Sequence, residues 1–157
     1  MTPGQDAAGA PAARRSVLVL VAVCLLVNLP ALRPGFIHDD HKIIEQNDRI
    51  ADLSRLPLIF RSGYWSTGDA EVPNLYRPVT VLSFALNRAA SGLRPFPFRL
   101  VNLLLHVLTT LLVYRLAARV LGTVRHPGWA FPGAQVPPAP LLAALLFAVH
   151  PVHTEAL

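Results

Sequence analysis

Cysteine is all but missing from this 157-residue chain: Cys24 stands alone, inside an apolar run. No intrachain disulfide can form, and a single buried-type thiol says nothing of the redox compartment. Lysine is as scarce, Lys42 being the only one, and the arginines are scattered, with no basic tract interleaved with aromatics. A formal net charge of +5 spread in this way is no nucleic-acid footprint, so nucleic acid is excluded as a partner. Charge of either sign is thin, at 15% of residues, less than an ordinary soluble domain carries.

What is present is apolar. Hydrophobic residues make up 53% of the chain and the mean hydropathy is positive, the balance of a protein that meets a lipid bilayer. Fifteen prolines cut the chain into short elements. The abundance of Ala, Arg, Pro and Leu suits a GC-rich bacterial genome. The expected fold class is all-α, a multi-spanning membrane protein with three apolar segments.

In chain order, residues 1–15 are small and polar, end in Arg14-Arg15, and are expected to be disordered. Residues 16–32 hold the first transmembrane helix, a run interrupted only by Asn28 and Pro30. A signal peptide is the rival reading, but no Ala-x-Ala-like cleavage site follows, which favours a signal anchor. Residues 33–98 form a long loop with two amphipathic helices too short to span. One is expected within Asp48–Phe60, using Ile50, Leu53, Leu56, Ile59 and Phe60, with Pro57 as a kink or restart. The other starts at Pro78, shows Val79, Leu82, Leu86 and Ala89 on one face, and stops at Gly92. Tyr64 and Trp65 fit a membrane–water boundary. Residues 99–121 form the second transmembrane helix, residues 122–138 a Pro/Gly-rich connection, and residues 139–157 a third apolar segment. That segment stops without a polar terminus, as in a fragment of a longer polypeptide.

The arginines suggest an orientation. Arg14-Arg15 precede the first helix, and Arg115, Arg119 and Arg125 follow the second; both groups in the cytoplasm put the loop outside. Arg33, Arg94 and Arg99 flank the same helices on the other side. Seven of the nine acidic residues lie in that loop, and Asp39-Asp40 come almost directly after the first apolar run.

Four constellations are candidates for chemistry. A carboxylate in Asp39-Asp40 can take a proton from a hydroxyl within hydrogen-bond reach. Adjacent helical residues point about 100° apart, so one base beside one orienting or metal-binding partner fits better than a shared-proton dyad. The structural alternative is capping, with Asp39 as N-cap and Asp40 in the first turn. Tyr76-Arg77-Pro78 places a guanidinium at a helix start, where it can clamp a phosphate or simply meet lipid head groups. Asn102 and His106, with Thr109 or Thr110, form a polar stripe inside the second helix, suited to interhelical hydrogen bonds or to a water-filled transport path. His150, His153 and Glu155 are polar groups near a membrane face; they could bind a divalent metal, although they lack the zincin pattern.

Four stretches together carry a family resemblance: Phe36-Ile37-His38-Asp39-Asp40, Tyr76-Arg77-Pro78-Val79-Thr80, Leu100-Val101-Asn102-Leu103-Leu104-Leu105-His106, and Leu146-Phe147-Ala148-Val149-His150-Pro151-Val152-His153-Thr154-Glu155-Ala156. In that order they resemble the opening of the transmembrane O-mannosyltransferases that carry tetratricopeptide repeats, by way of a bacterial relative. The resemblance implies a GT-C-type N-terminal fragment whose first extracytoplasmic loop holds interfacial helices and an acidic catalytic base. It implies a polyprenyl-phosphate sugar donor, mannose as the sugar, and a Ser/Thr hydroxyl of a protein as acceptor. By position, Asp39 and Asp40 would be catalytic, and Tyr76, Arg77, His150, His153 and Glu155 would bind substrate. The membrane would be the bacterial inner membrane, or the endoplasmic reticulum in a eukaryote. A fragment alone would be inactive, and a non-catalytic membrane-anchored interaction module or a transporter fragment are the competing readings.

Overall fold

The computed structural model describes residues 5–33, 35–67, 75–123 and 139–152, and the side chains of residues 5–12, 122 and 123 are left aside. The expected connection at 122–138 lies almost wholly outside these residues. Every regular element among them is helical: α1 (Gln5–Asn28), α2 (Leu56–Ile59), α3 (Pro78–Ser91), α4 (Pro95–Thr123) and α5 (Ala139–Ala148), with short 3-10 and π turns between. Two stretches, Ala13–Leu32 and Pro95–Leu121, are long and apolar enough to cross a bilayer; α5 is shorter than the ~20 residues a crossing takes. Helix α1 begins at Gln5, inside the stretch expected to be disordered. Five alanines between Ala7 and Ala13 supply the helix propensity that a reading by hydrophobicity overlooks.

The chain divides into two compact units. One joins Met1–Ala31 to Asn102–Leu157 and holds α1, most of α4, and α5. Several of its polar side chains point inward. Ser16, Asn28, His106 and Thr110 are buried, while Leu26, Leu116 and Leu146 are each more than 60% exposed. Water would not tolerate that arrangement on a helix bundle this apolar, but a hydrocarbon surround favours it. The Cys24 thiol donates to Thr110 Oγ1 at 3.5 Å, and Asn28 Nδ2 donates to the Cys24 carbonyl at 2.8 Å. His106 stacks on Phe147, ring centres 5.8 Å apart, with Nε2 at 3.1 Å from the Ala148 carbonyl oxygen. Buried Ala144 and Ala148 give α5 its close approach. The polar stripe of α4 is therefore spent at His106 and Thr110 on interhelical contacts, while Thr109 bonds back to its own Leu105 carbonyl.

The other unit, Leu32–Val101, has a conventional core. Ile44, Ile50, Ile59, Val81, Ala85 and Phe98 cluster, with Phe36, Leu56, Tyr64 and Phe84 packed against them. The amphipathic helix expected within Asp48–Phe60 is instead three short pieces, 3-10 turns at Asp48–Ile50 and Leu53–Arg55 followed by α2. Two side chains interrupt it. Asn47 Oδ1 accepts from the Arg49 N–H at 3.1 Å, and Asp52 accepts from both the N–H and the hydroxyl of Ser54, restarting the chain each time. The Ser54 N–H foremost, then its hydroxyl, holds the Asp52 carboxyl below the usual range. Arg49 is buried and binds Asn47 Oδ1, the Ser62 hydroxyl and the carbonyls of Gly63 and Tyr64, tying two loop segments together.

Helix α3 starts at Pro78 and is closed by Gly92, as its sequence indicates. Its buried face is Val81 and Ala85, while Val79, Leu86 and Ala89, on the face the sequence marks as apolar, are exposed. Ile44, Ile50 and Ile59 take the first face, leaving the second as an apolar surface suited to a bilayer boundary. Gly92 has φ 68° and ψ −152°, a region essentially confined to glycine. An added Cβ there would touch nothing within 4 Å, and the same holds at Gly35, whose φ is not positive. Gly92→Ala should thus cost about 1–3 kcal/mol through the backbone alone, read as a lowered thermal midpoint, while Gly35→Ala leaves the midpoint in place.

Candidate functional site

The loop unit assembles its charged groups from the backbone outward. Phe36 anchors the segment after the first apolar helix, edge-on to Phe98 at 5.7 Å. His38 then takes φ 45°, a left-handed conformation rare outside glycine, and the chain turns into a helical segment at Asp39. The Asp40 N–H donates to the Ile37 carbonyl at 3.0 Å. A π turn, His41–Glu45, follows, closed by the Gln46 N–H on the His41 carbonyl. Its carbonyl end is held from α3: Arg88 Nη1 donates to Ile44 O at 2.9 Å.

The paired aspartates part company here. Asp40 Oδ2 accepts from the Ile37 N–H at 3.2 Å and forms an ion pair with Arg99 Nη2 at 3.6 Å. The same Nη2 donates to the Gly35 carbonyl at 2.6 Å. Asp40 is thus built into the loop. Asp39 is exposed, and no hydrogen bond to its carboxylate occurs among the described residues. The capping alternative places Asp39 at the N-cap and Asp40 in the first turn; in the structure Asp40 itself occupies the N-cap position of the π turn, with helical backbone angles and no side-chain capping bond.

Arg77 stands at the N-cap of α3, exposed, its guanidinium carbon 5.6 Å from the centre of the Tyr64 ring. Tyr64 meets Trp65 edge-on at 5.3 Å, and Lys42 Nζ lies 5.9 Å from the Trp65 ring centre. Two cations thus bracket two adjoining aromatic rings, a favourable electrostatic pairing. Tyr76 is exposed, and its hydroxyl donates to the Phe60 carbonyl at 3.0 Å. Burial holds the Tyr64 phenol above its ordinary value; Asp39 and Asp40 push it the same way and Arg77 opposes them. Tyr64 is accordingly the point at which both aspartates and Arg77 are felt together.

His150 belongs to the other unit, where it is exposed and its Nδ1 accepts from the Val152 N–H at 3.2 Å. His153 and Glu155 lie outside the described residues. Among the described residues no three His, Cys, Asp or Glu side chains gather as a metal site would require. Sequence reasoning missed Lys42, Tyr64, Trp65 and Arg99 as members of the site. The adjoining Tyr64-Trp65 pair was a visible signal, read only as a boundary anchor. Nothing in the spacing of Arg99 pointed to Asp40.

No protein-family model matches the chain, and no solved structure matches it. Its sequence is 36% identical over 137 residues to protein O-mannosyl-transferase Tmtc1 of Drosophila melanogaster, covering 86% of this chain and 14% of that protein. It is 38% identical over 144 residues to the Mus musculus TMTC1 protein, covering 90% and 14%, and 36% identical over 151 residues to its Homo sapiens counterpart, covering 94% and 16%. The chain is thus homologous to the N-terminal portion of these protein O-mannosyl-transferases, and it spans only 14–16% of their length.

The charges around Tyr64 make its titration a test of the assembly. Asp39→Asn should lower the phenol pKa and Arg77→Gln should raise it, followed by the Cζ resonance of labelled Tyr64. Because the folded value lies above the unfolded value of about 10, the contribution to stability is complete below that pH and is lost as pH rises through the folded value. Tyr64→Phe should remove this alkaline loss.

Proposed function

We propose that this chain forms the donor-facing part of a membrane glycosyltransferase, moving a sugar, mannose in the first instance, from polyprenyl phosphate to a Ser/Thr hydroxyl of a protein. The observation that carries the proposal is the division of the aspartate pair: Asp40 committed to Arg99, Asp39 left exposed in the same unit as Arg77. Sequence similarity to protein O-mannosyl-transferases supports it.

In this reading α1 and α4 cross the bilayer and the loop unit lies outside the cytoplasm. Arg99, which by position in the sequence argues against that orientation, is buried against Asp40 and so counts less as a free topological charge. The membrane is the inner membrane in a bacterium or the endoplasmic reticulum in a eukaryote. Further spans and the tetratricopeptide repeats of such enzymes would be contributed by sequence other than these residues.

The reaction is a single displacement at the anomeric carbon. Asp39 accepts the proton of the acceptor hydroxyl as its oxygen bonds to that carbon. The bond from the carbon to the phosphate oxygen breaks, and polyprenyl phosphate leaves with the electron pair. Arg77 faces the charge growing on that phosphate, where a preplaced guanidinium stabilises the transition state more than the ground state. Tyr76 borders Arg77, and the Tyr64-Trp65 rings offer apolar faces to the C–H side of a sugar. Asp40 keeps the turn in place rather than moving protons. His150, with His153 and Glu155, would belong to the acceptor side.

Asp39→Asn in the full reading frame should reduce sugar transfer from a polyprenyl-phosphate donor by about 10²–10⁴-fold, the usual contribution of a general base. Undiminished transfer would remove Asp39 from the mechanism. The orientation is tested separately: with Cys24→Ser as background, His38→Cys should react with a membrane-impermeant thiol reagent from the extracytoplasmic side. Labelling from the cytosol would overturn the proposal whatever the activity.

A further inference from the structure

The unit that contains α1, α4 and α5 carries a feature the transfer reaction does not use. Between the first half of the apolar run of α1 and the second half of α4 lies a groove of about 530 Å³. That is within the ~300–1,000 Å³ of typical ligand pockets. Its lining divides by chemistry: Val17, Leu108 and Leu111 are apolar, whereas Arg14, Arg115 and Tyr114 are polar or charged. Both arginines are exposed, and no carboxylate is among the described residues that line the groove.

Two guanidiniums on one groove repel one another unless an anion lies between them, and their planar forks suit phosphate oxygens. Tyr114 has the amphipathic ring that favours the head-group level of a bilayer. The apolar wall running on from the arginines suits a hydrocarbon chain. Free inorganic phosphate would use the arginines and leave that wall bare, and an uncharged apolar helix would cover the wall and leave the arginines uncompensated. A molecule with an anionic phosphate at one end and an acyl chain at the other satisfies both. We propose that this groove binds an anionic diacyl phospholipid, its phosphate between Arg14 and Arg115 and one acyl chain along Val17, Leu108 and Leu111. The site rests on α1 and α4 meeting a bilayer, not on sugar transfer, so an inactive Asp39 would leave it intact. Basic pockets between membrane helices are known acceptors of such head groups on the cytoplasmic side, the side to which Arg14 and Arg115 point in the orientation above.

The test is lipid retention by the purified chain in mild detergent, counted by native mass spectrometry, with phosphatidylglycerol, phosphatidylcholine and inorganic phosphate as probes. Phosphatidylglycerol should be retained about tenfold more strongly than phosphatidylcholine, and Arg14→Gln with Arg115→Gln should abolish that preference. Val17→Trp, which fills the groove without changing charge, should lower retention of phosphatidylglycerol as well. Equal retention of the two lipids by the unaltered chain would overturn the proposal, and that comparison needs no variant to fold. So would displacement of the lipid by millimolar phosphate, a full preference in the double glutamine variant of unchanged helicity, or undiminished retention in Val17→Trp.

Discussion

A guanidinium taken out of water needs oxygen to compensate its charge, and at Arg99 the loop unit brings two oxygens to one nitrogen. Only 7% of Arg99 remains exposed. Its Nη2 reaches the Gly35 carbonyl and the Asp40 carboxylate at once, so the first residues of α4 hold the segment that follows α1 in a fixed course. Removing either partner would leave a buried charge short of compensation, which costs far more than an exposed ion pair is worth. The left-handed His38 and the turn at Asp39 lie in the chain between Gly35 and Asp40, the two residues this one clamp holds. Arg88 repeats the device on the far end of the π turn, through the Ile44 carbonyl.

The clamp also explains how two adjacent carboxylates come to differ. Asp40 is stationed by a cation and a backbone N–H, whereas Asp39 faces outward with its oxygens uncommitted within the described structure. The proposed base is the one left free to meet a substrate, and the residue that fixes the geometry of its neighbour is not. The aromatic pair Tyr64-Trp65, bracketed by Arg77 and Lys42, adds a surface on which charge and apolar ring faces alternate.

The two units solve opposite solvent problems. In the loop unit isoleucines, Val81 and Phe98 are inside, as water demands. In the unit of α1, α4 and α5, Leu26, Leu116 and Leu146 face out while His106, Thr110 and Asn28 face in, an arrangement suited to hydrocarbon. Glycine and proline at the ends of α3 follow the backbone rules at once, because a φ constraint is a property of one residue.

Such one-residue and short-range properties are what the sequence determined. Run length marked the two apolar helices, and Pro78 and Gly92 bounded α3. The tertiary structure decided what depends on partners distant in the chain. Whether Asp39 or Asp40 is held depends on Arg99, a partner no local pattern connects to them. Which face of α3 is buried depends on Ile44, Ile50 and Ile59, distant in the chain, against which Val81 and Ala85 cluster. The helix expected across Asp48–Phe60 failed because Asn47 and Asp52 bond to the backbone ahead of them, a competition that apolar spacing does not register. Chain-local sterics are written in the order of residues; desolvation and pairing are settled only once the chain has chosen its neighbours.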